Sequence, residues 1–199
     1  MRTRGSIDWD GFIGNYGDRK QQYIIQVTGD KRLDAEYFGY LTQLIKQNFN
    51  PKNISIRNSK GNTLRLTIYS KDLYVFLIKR FAFPSGKKND IVIPNEILST
   101  ERYLIKTIRG IFDTDGCVFW DKRKIYKKPY PRITLETKSK ALNNQLTDYL
   151  SEYFRIRNIK RKRVLGTTYV IEIYGHLQFK KWLELIGFSN NRHLKSMPL

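Results

Sequence analysis

The sequence predicts an α+β fold made of two similar units, each running helix, two strands, helix, two strands, helix. Apolar residues recur at helical spacing in some stretches and alternate in others, which separates helices from strands. The second half also repeats the first at a shift of 105 residues, with matched pairs that include Asn53 with Asn158, Gly61 with Gly166, and Phe83 with Phe188. A shift that stays in register through a helix and a hairpin indicates an internal repeat. We therefore expect one unit in residues 1–90 and a second in residues 91–199.

In the first unit, Ser6 can cap a helix that continues to Gly17, because Trp9, Phe12 and Ile13 are spaced for one helical face. The segment Ser59-Lys-Gly-Asn62 separates two alternating runs and predicts a hairpin. After the first helix, the elements predicted for this unit are a strand at 23–28, a helix at 34–48, strands at 54–57 and 63–69, and a helix at 71–81.

The second unit follows a stretch rich in Pro, Gly and charge at 84–90, which is the predicted linker. Its predicted elements are a helix at 104–116, strands at 118–120 and 132–137, a helix at 141–154, strands at 156–164 and 169–174, and a helix at 177–186. The second unit has four predicted short strands, and the repeat implies four in the first unit as well. Each unit is therefore predicted to form a saddle-like antiparallel sheet, with helices on one face and the other face open.

The composition points to a polyanionic partner. The chain has 37 Lys and Arg against 18 Asp and Glu, a net charge of +19, which favours nucleic acid over a membrane. A generally basic, highly soluble protein is the alternative. The single cysteine, Cys117, excludes an internal disulfide. No apolar run is long enough to span a membrane, and the N-terminus lacks the apolar core of a signal peptide. We expect an intracellular, cytoplasmic protein, associated with the nucleoid if the source is a prokaryote, with no membrane partner.

One stretch, Leu104–Gly116, carries the strongest signal. Its apolar residues follow helical spacing, and it ends in Asp113-Thr-Asp115-Gly116. Carboxylates at a helix C-terminus are disfavoured by the macrodipole, so a cation is the natural compensation. Gly110, inside the helix, costs about 1 kcal/mol relative to Ala, which suggests close contact with another backbone. A buried helix that closes with an ordinary Asp-Gly turn is the simpler interpretation.

The sequence Ile108-Arg-Gly-Ile-Phe-Asp-Thr-Asp-Gly116 resembles the signature of the LAGLIDADG homing endonucleases. In that family two such helices pack face to face, and the last acidic residue of each holds a divalent cation at the scissile phosphates. The resemblance implies that Asp115, with Gly116 beside it, binds Mg²⁺ or another divalent cation, and that Gly110 is the close-contact position. The ending Ile186–Leu194 also resembles the C-terminal ends of archaeal members of the family. With the internal repeat, the resemblance implies a single-chain, two-repeat monomer, and a free-standing 199-residue chain that starts at Met favours an intron-encoded origin.

The first unit is expected to carry a degenerate copy of this signature. Placing Trp9–Gly17 over Ile108–Gly116 matches two glycines and sets Tyr16 where Asp115 stands, whereas a shift larger by one sets Asn15 there. Neither residue is a carboxylate, and the nearest acids are Asp10 and Asp18. Three outcomes stay open. One strand of the DNA duplex is cut well and the other poorly, Asp18 substitutes as a metal ligand in a rebuilt turn, or cleavage is lost and nucleic-acid binding remains.

The open sheet faces are expected to bind the nucleic acid, since mixed basic and polar side chains suit base edges in the major groove. Two charge runs, at 121–132 and 155–163, fall on the same side and favour phosphate contact, although such a run is often only a solvated surface. The predicted nucleic-acid contacts are Gln26, Arg57, Arg65, Lys122, Arg123, Lys124, Lys127, Lys128, Arg132, Thr134, Arg157, Lys160, Arg161, Lys162 and Arg163.

The family also places a basic residue near each scissile phosphate, at a strand-to-helix junction. Lys31 in the first unit, and Lys138 or Lys140 in the second, occupy such junctions and are the catalytic candidates that accompany Asp115. The expected function is metal-dependent hydrolysis of a long, specific DNA duplex. The alternative is an RNA maturase that binds intron RNA, or a non-cleaving nucleic-acid-binding protein on the same fold, because Tyr16 replaces an acid.

Overall fold

In the computed structural model, residues 11–16, 22–81, 83, 91–164, 166–195 and 197 are described. They fall into two compact units, one within Trp9–Lys88 and one within Asn89–Leu199. The predicted linker at 84–90 lies outside the described residues. Among the residues that are described, no helix is long and apolar enough to cross a membrane.

The first unit is a four-stranded antiparallel sheet with helices on one face. Its strands are β1 (Phe12–Tyr16), β2 (Gln22–Asp30), β3 (Asn53–Asn58) and β4 (Thr63–Tyr69), in the spatial order β1-β2-β4-β3. Its helices are α1 (Ala35–Asn48) and α2 (Lys71–Val75), which continues as a π-helical turn at Phe76–Arg80. Alternate residues of β4, among them Leu66 and Ile68, are buried against Phe38 of α1, so one sheet face forms the core.

The second unit has the same arrangement of four strands, and its described residues also include helices before and after the sheet. Its helices are α3 (Asn95–Leu98), α4 (Glu101–Asp115), α5 (Lys140–Tyr153), α6 (His176–Leu185) and α7 (Arg192–Lys195). Its strands are β5 (Gly116–Asp121), β6 (Tyr130–Thr137), β7 (Ile156–Arg163) and β8 (Gly166–Tyr174), in the order β5-β6-β8-β7. The predicted α+β class and the two antiparallel sheets are confirmed.

The core of the second unit is built around Trp182 of α6, which is fully buried. Its ring lies 4.6 Å from the Phe112 ring on α4 and 5.6 Å from Phe154 at the end of α5, measured between centroids. Three helices are therefore fixed to one another by aromatic packing, and the position of α4 is set by its buried face.

The predicted helix from Ser6 to Gly17 is wrong for residues 12–16, which form the edge strand β1. This strand pairs with β2 along its whole length, with Ile13 opposite Ile25. Spacings of three and four in a short apolar run also fit a strand that buries only one residue, and here Ile13 is the buried one. The earlier part of the predicted helix, residues 6–10, lies outside the described residues.

The strand registers align the two units independently of sequence motifs. In the first sheet Ile68, Ile25 and Ile13 form one row across β4, β2 and β1. The second sheet has the row Ile173, Ile133 and Val118 across β8, β6 and β5. Because Ile68 corresponds to Ile173 at the repeat shift, Ile13 corresponds to Val118, which is again a shift of 105 residues.

Candidate metal site and nucleic-acid interface

Asp115 is the last residue of α4 and is only 7% exposed. Gly116, which follows it, starts β5, and its backbone N–H donates to the Phe112 carbonyl oxygen. A side chain at Gly116 would collide with that same carbonyl group, so glycine alone fits the turn. The sharp change from helix to strand holds the Asp115 carboxylate at one defined place at the end of the sheet.

A second acid of the motif, Asp113, is almost fully buried and stabilises the fold through hydrogen bonds. Its carboxylate accepts hydrogen bonds from the backbone N–H groups of Ser189, at 2.9 Å, and Asn190, at 3.0 Å. Burial raises the pKa of Asp113, and the hydrogen bonds from Asn190 and Ser189 oppose part of that change. The segment after α6 is thus attached directly to the motif, a contact that the sequence did not reveal.

The free carbonyl groups at the end of α4 are capped from the same segment. Arg192 donates to the Thr114 carbonyl oxygen at 2.6 Å and lies 3.3 Å from the Gly116 carbonyl oxygen. Its guanidinium therefore contacts the backbone on both sides of Asp115. The His193 side chain is buried beside the Asp113 carbonyl oxygen, at 3.3 Å. The cation expected from the helix macrodipole is supplied, at least in part, by the protein's own arginine.

The glycine inside α4 behaves differently from the glycine that follows it. A Cβ atom at Gly110 would meet no atom within 4 Å among the described residues. The close contact expected at Gly110 from the family resemblance therefore stays a prediction, because nothing within the described part of the second unit requires a glycine there.

The candidate lysines lie at the predicted junctions. Lys31 follows β2, and its backbone N–H donates to the Asn62 carbonyl oxygen at 2.9 Å. Lys138 follows β6 and Lys140 begins α5, and both side chains are exposed. Gly116 pairs with Leu135 near the end of β6, so Lys138 and Asp115 lie at the same end of the second sheet. Their catalytic role remains a prediction.

The register alignment moves the first signature. Since Ile13 corresponds to Val118, Gly11 corresponds to Gly116 and Asp10 to Asp115. The segments compared are Arg-Gly-Ser-Ile-Asp-Trp-Asp-Gly at 4–11 and Arg-Gly-Ile-Phe-Asp-Thr-Asp-Gly at 109–116. In the register alignment the residue that corresponds to Asp115 is therefore an acid, Asp10, which itself lies outside the described residues. The placement of Trp9–Gly17 over Ile108–Gly116 differs from this alignment by six residues.

The residues predicted to replace that acid are consequently elsewhere. Tyr16 ends β1, pairs with Gln22 and is 54% exposed, with its ring stacked on Phe12. Asn15 is opposite Tyr23 in the same strand pair. Neither residue lies at the end of a helix, where Asp115 lies in the second unit. Asp18 lies outside the described residues.

The donor set limits which metal sites are feasible. No group of three or more His, Cys, Asp or Glu side chains in the described residues is arranged to hold a metal ion. Mg²⁺ is often bound by only one or two carboxylates, with waters and substrate phosphates completing its coordination. A single hard carboxylate such as Asp115 fits that kind of site rather than a closed structural one.

The open face of the second sheet carries charged side chains in pairs. Arg132 lies 2.7 Å from Glu172 and 3.2 Å from Asp121, measured between nitrogen and oxygen, and its side chain is only 13% exposed. Tyr126 accepts a further hydrogen bond from it. Arg132 was expected to contact bases, yet most of its guanidinium is engaged within the protein. Thr134, its neighbour on this face, contacts the Cys117 carbonyl oxygen at 3.4 Å.

The basic run on β7 is divided by strand alternation. Asn158 donates to Thr147 of α5, which identifies the even-numbered side of β7 as the helix side. Lys160 and Lys162 share that side, so the structure does not place them with the other predicted contacts. Arg157, Arg161 and Arg163 occupy the open face and are exposed.

The hairpin between β5 and β6 is ordered by its own contacts. Arg123 donates to both carboxylate oxygens of Asp121 at 2.9 Å, and these hydrogen bonds lower the pKa of Asp121 to about 2. The rings of Tyr126 and Tyr130 are stacked 4.4 Å apart. The remaining basic residues of the hairpin are exposed as predicted, namely Lys122, Lys124, Lys127 and Lys128.

The open face of the first sheet is a groove of a different character. Gln26 on β2 donates to Thr67 on the neighbouring strand β4 at 3.4 Å, and Arg57 on β3 stands directly opposite Arg65 on β4. All three predicted contacts in this unit, Gln26, Arg57 and Arg65, line the groove. The described residues that line it include amides, hydroxyls, lysines and arginines but no carboxylate.

Comparisons with known proteins agree with this architecture. Residues 102–187 match the model of a LAGLIDADG-like domain. The chain is similar to I-DmoI in complex with DNA and manganese, with a TM-score of 0.58 at 20% identity over 90% of this chain and 89% of that one. It is also similar to I-WcaI bound to its DNA recognition sequence, with a TM-score of 0.55 at 16% identity over 94% and 80% of the two chains.

A third similar structure is the LAGLIDADG meganuclease I-AabMI bound to uncleaved DNA, with a TM-score of 0.55 at 16% identity over 96% of this chain and 84% of that one. No curated protein sequence matches the chain. The resemblance identified from the motif is confirmed. Residues 102–187 resemble a LAGLIDADG-like domain, and the chain has the fold of the I-DmoI and I-WcaI structures.

Proposed function

We propose that this protein is a sequence-specific DNA endonuclease that depends on a divalent cation, with Mg²⁺ as the expected ion. The observation that carries the proposal is the buried Asp115 carboxylate, held at a rigid helix-to-strand turn at one end of a sheet with an arginine-rich open face. Its fold is also that of proteins whose structures contain bound DNA with manganese, magnesium or calcium.

Each unit contributes one carboxylate in this proposal. Asp115 would hold a cation in the second unit, and Asp10 would do so in the first, because the strand registers align them. A bound divalent cation lowers the pKa of its water and stabilises charge on a phosphate. Lys138 and Lys31, at the corresponding ends of β6 and β2, would stabilise negative charge on the scissile phosphates. The open sheet faces would bind and orient the duplex.

The alternative of a maturase or a non-cleaving binder depended on Tyr16 standing in place of an acid. The register alignment favours Asp10 over Tyr16 as the residue that corresponds to Asp115, which supports the nuclease proposal. Binding of DNA without cleavage is therefore one of the outcomes of the test below. For the maturase, whose expected ligand is intron RNA, one arm of that test adds a structured RNA as a competitor of the duplex.

The experiment is a divalent-ion titration of plasmid cleavage, preceded by selection of a cleavable target from a randomised duplex library. Wild type is compared with Asp115→Asn and Asp10→Asn, and Asp148→Asn, an exposed acid on α5, is the matched control. We expect wild type to give linear product with Mg²⁺. Each motif variant should lose at least 100-fold in the rate of linear product, while the control cleaves normally.

Cleavage by Asp115→Asn at the wild-type rate would refute the assignment of the metal carboxylate. Tight duplex binding without cleavage at any divalent-ion concentration would refute the nuclease and favour the binder. A variant of Asp10 that behaves as wild type would show that the first signature supplies no catalytic acid.

A further inference from the structure

Glu136 is a carboxylate on the open face of the second sheet, the face proposed to bind a polyanion. It lies on β6, and two of its contacts are with β7, although β8 runs between these strands. Its oxygens lie 2.8 Å from Arg163 and 3.3 Å from Arg161, both measured to guanidinium nitrogens. The side chain therefore reaches across β8, over Val170, to hold two arginines at once.

A carboxylate in this position works against binding of phosphate, because it cancels part of the attraction of the face for DNA. Stability is a poor explanation for it, since the two arginine side chains are 46% and 44% exposed and exposed ion pairs add little to folding. The contacts with Glu136 instead hold the guanidinium groups of Arg161 and Arg163 in a defined orientation. A free arginine side chain loses rotamer freedom on binding, and one already held in place loses less.

The first unit lacks this arrangement at the corresponding place. The registers align Glu136 with Thr28, which stands opposite Arg65 on β4. Arg65 in turn stands opposite Arg57, so two like charges face each other. No carboxylate lines the groove in the described part of the chain. The two sheets thus present arginines in two different states, held in one unit and facing each other in the other.

We propose that Glu136 is a specificity-determining positioning residue: it fixes Arg161 and Arg163 so that the second sheet reads its half of the target stringently. This inference rests on the proposed function as a sequence-specific DNA-binding protein. A fixed guanidinium directs its remaining N–H donors at acceptor pairs such as O6 and N7 of guanine, whereas a mobile one contacts any phosphate. The first sheet, where Arg57 and Arg65 face each other and no carboxylate among the described residues lines the groove, is expected to tolerate more sequences in its half.

The test uses Glu136→Gln, which keeps the shape and removes the charge. The matched control is Glu152→Gln, the same change at an exposed residue of α5 on the helical side. Bound duplexes are selected from a randomised library with each protein, and affinities for the selected and a scrambled duplex are measured at several salt concentrations. We expect Glu136→Gln to lose about tenfold in discrimination at positions in one half of the target only.

The arginines are also followed in the free protein by the heteronuclear NOE of their Nε–Hε groups. Arg161 and Arg163 should be ordered in the wild type and mobile in Glu136→Gln. Mobile arginines in the wild type, or equal discrimination by Glu136→Gln and wild type, would overturn the inference. A uniform gain in affinity for all duplexes, equal to that of Glu152→Gln, would also overturn it, because charge alone would then account for the effect.

Failure of the proposed function would give a different experimental result. If the wild type selects no sequence from the library, DNA specificity itself is refuted, and the role of Glu136 in it is refuted as well. If the wild type selects a sequence and the variant selects it equally well, only the role of Glu136 is refuted.

Discussion

The guanidinium of Arg192 donates to the carbonyl oxygen of Thr114 at 2.6 Å, immediately before the candidate metal ligand Asp115. A cation from the end of the chain thereby caps the helix whose last residue is proposed to bind a second cation. The same segment binds Asp113 through two backbone N–H groups. The motif's two acids thus have separate tasks, one structural and one proposed to be catalytic.

Replacement of Arg192 by alanine should destabilise the protein and weaken its response to metal. The change leaves carbonyl groups at the end of α4 without a charged donor, which costs about 1–3 kcal/mol. Urea unfolding measures the stability, and a Mg²⁺ titration of cleavage measures the metal response. Lys180→Ala on α6, an exposed cation weakly paired to Glu184 at 3.9 Å, is the control and should cost below about 0.5 kcal/mol. Equal losses in the two variants would contradict the capping role.

The buried carboxyl of Asp113 should make stability depend on pH. Because burial raises its pKa in the folded protein above the ordinary value of 3.8, the folded state takes up this proton before the unfolded chain does. Its contribution to the free energy of unfolding therefore increases as the pH falls through the raised pKa, and decreases as the pH rises. Urea unfolding of wild type and Asp113→Asn over a series of pH values checks the sign. A wild type that loses stability relative to the variant on acidification would contradict it.

Two glycines should respond in opposite ways to alanine. A Cβ at Gly116 would collide with the Phe112 backbone, whereas one at Gly39, inside α1, meets no atom within 4 Å among the described residues. We expect Gly116→Ala to destabilise the protein by about 2 kcal/mol or more, because a buried turn must be rebuilt. Gly39→Ala should stabilise it by about 1 kcal/mol through helix propensity. Thermal unfolding of both variants measures the difference, and a neutral Gly116→Ala would refute the steric argument.

The hairpin pair of Asp121 and Arg123 can be tested by titration. Hydrogen bonds from Arg123 are the largest cause of the Asp121 pKa of about 2. This depressed pKa means that the pair is intact above the ordinary value of 3.8 and is lost as the pH falls towards 2. Carbon-13 NMR of the carboxyl group should show the low pKa in the wild type and a rise towards 3.8 in Arg123→Gln. Lys124→Gln, an equal loss of charge in the same hairpin, should leave it low.

Much of the fold was predictable because most of its elements have a strong period or a strong turn signal. The alternation in Arg132–Thr137 and Thr63–Tyr69 gave the correct faces of β6 and β4. The first strand was missed because the spacing of Phe12 and Ile13 fits a helix and a strand equally well. The missed strand also affects the site, since the strand registers align Asp10, and the predicted helix aligned Tyr16, with Asp115.

The setting of the site was less predictable than its motif. The partners of Asp113 and Thr114 are 76 to 78 residues away in the sequence, and no local pattern links them. Contacts of Arg132 with Glu172 join residues 40 apart across two strands. Alternation identified these side chains as lying on the open face, but only the three-dimensional arrangement reveals which arginines are held by carboxylates and which are exposed.

The contacts that Ser189 and Arg192 make with the end of α4 form a long-range clamp, and this clamp also bears on the order of folding. The β7–β8 hairpin pairs residues as close as Arg163 and Gly166, while the turn at Asp115 is fixed only when Ser189 and Arg192 arrive from more than 70 residues away. Closing a long loop is slower than closing a hairpin, so the arginine-bearing strands should form before the clamp does. A partly folded chain would then attract nucleic acid before it could position the proposed metal ion, and the proposed cleavage activity would be acquired last.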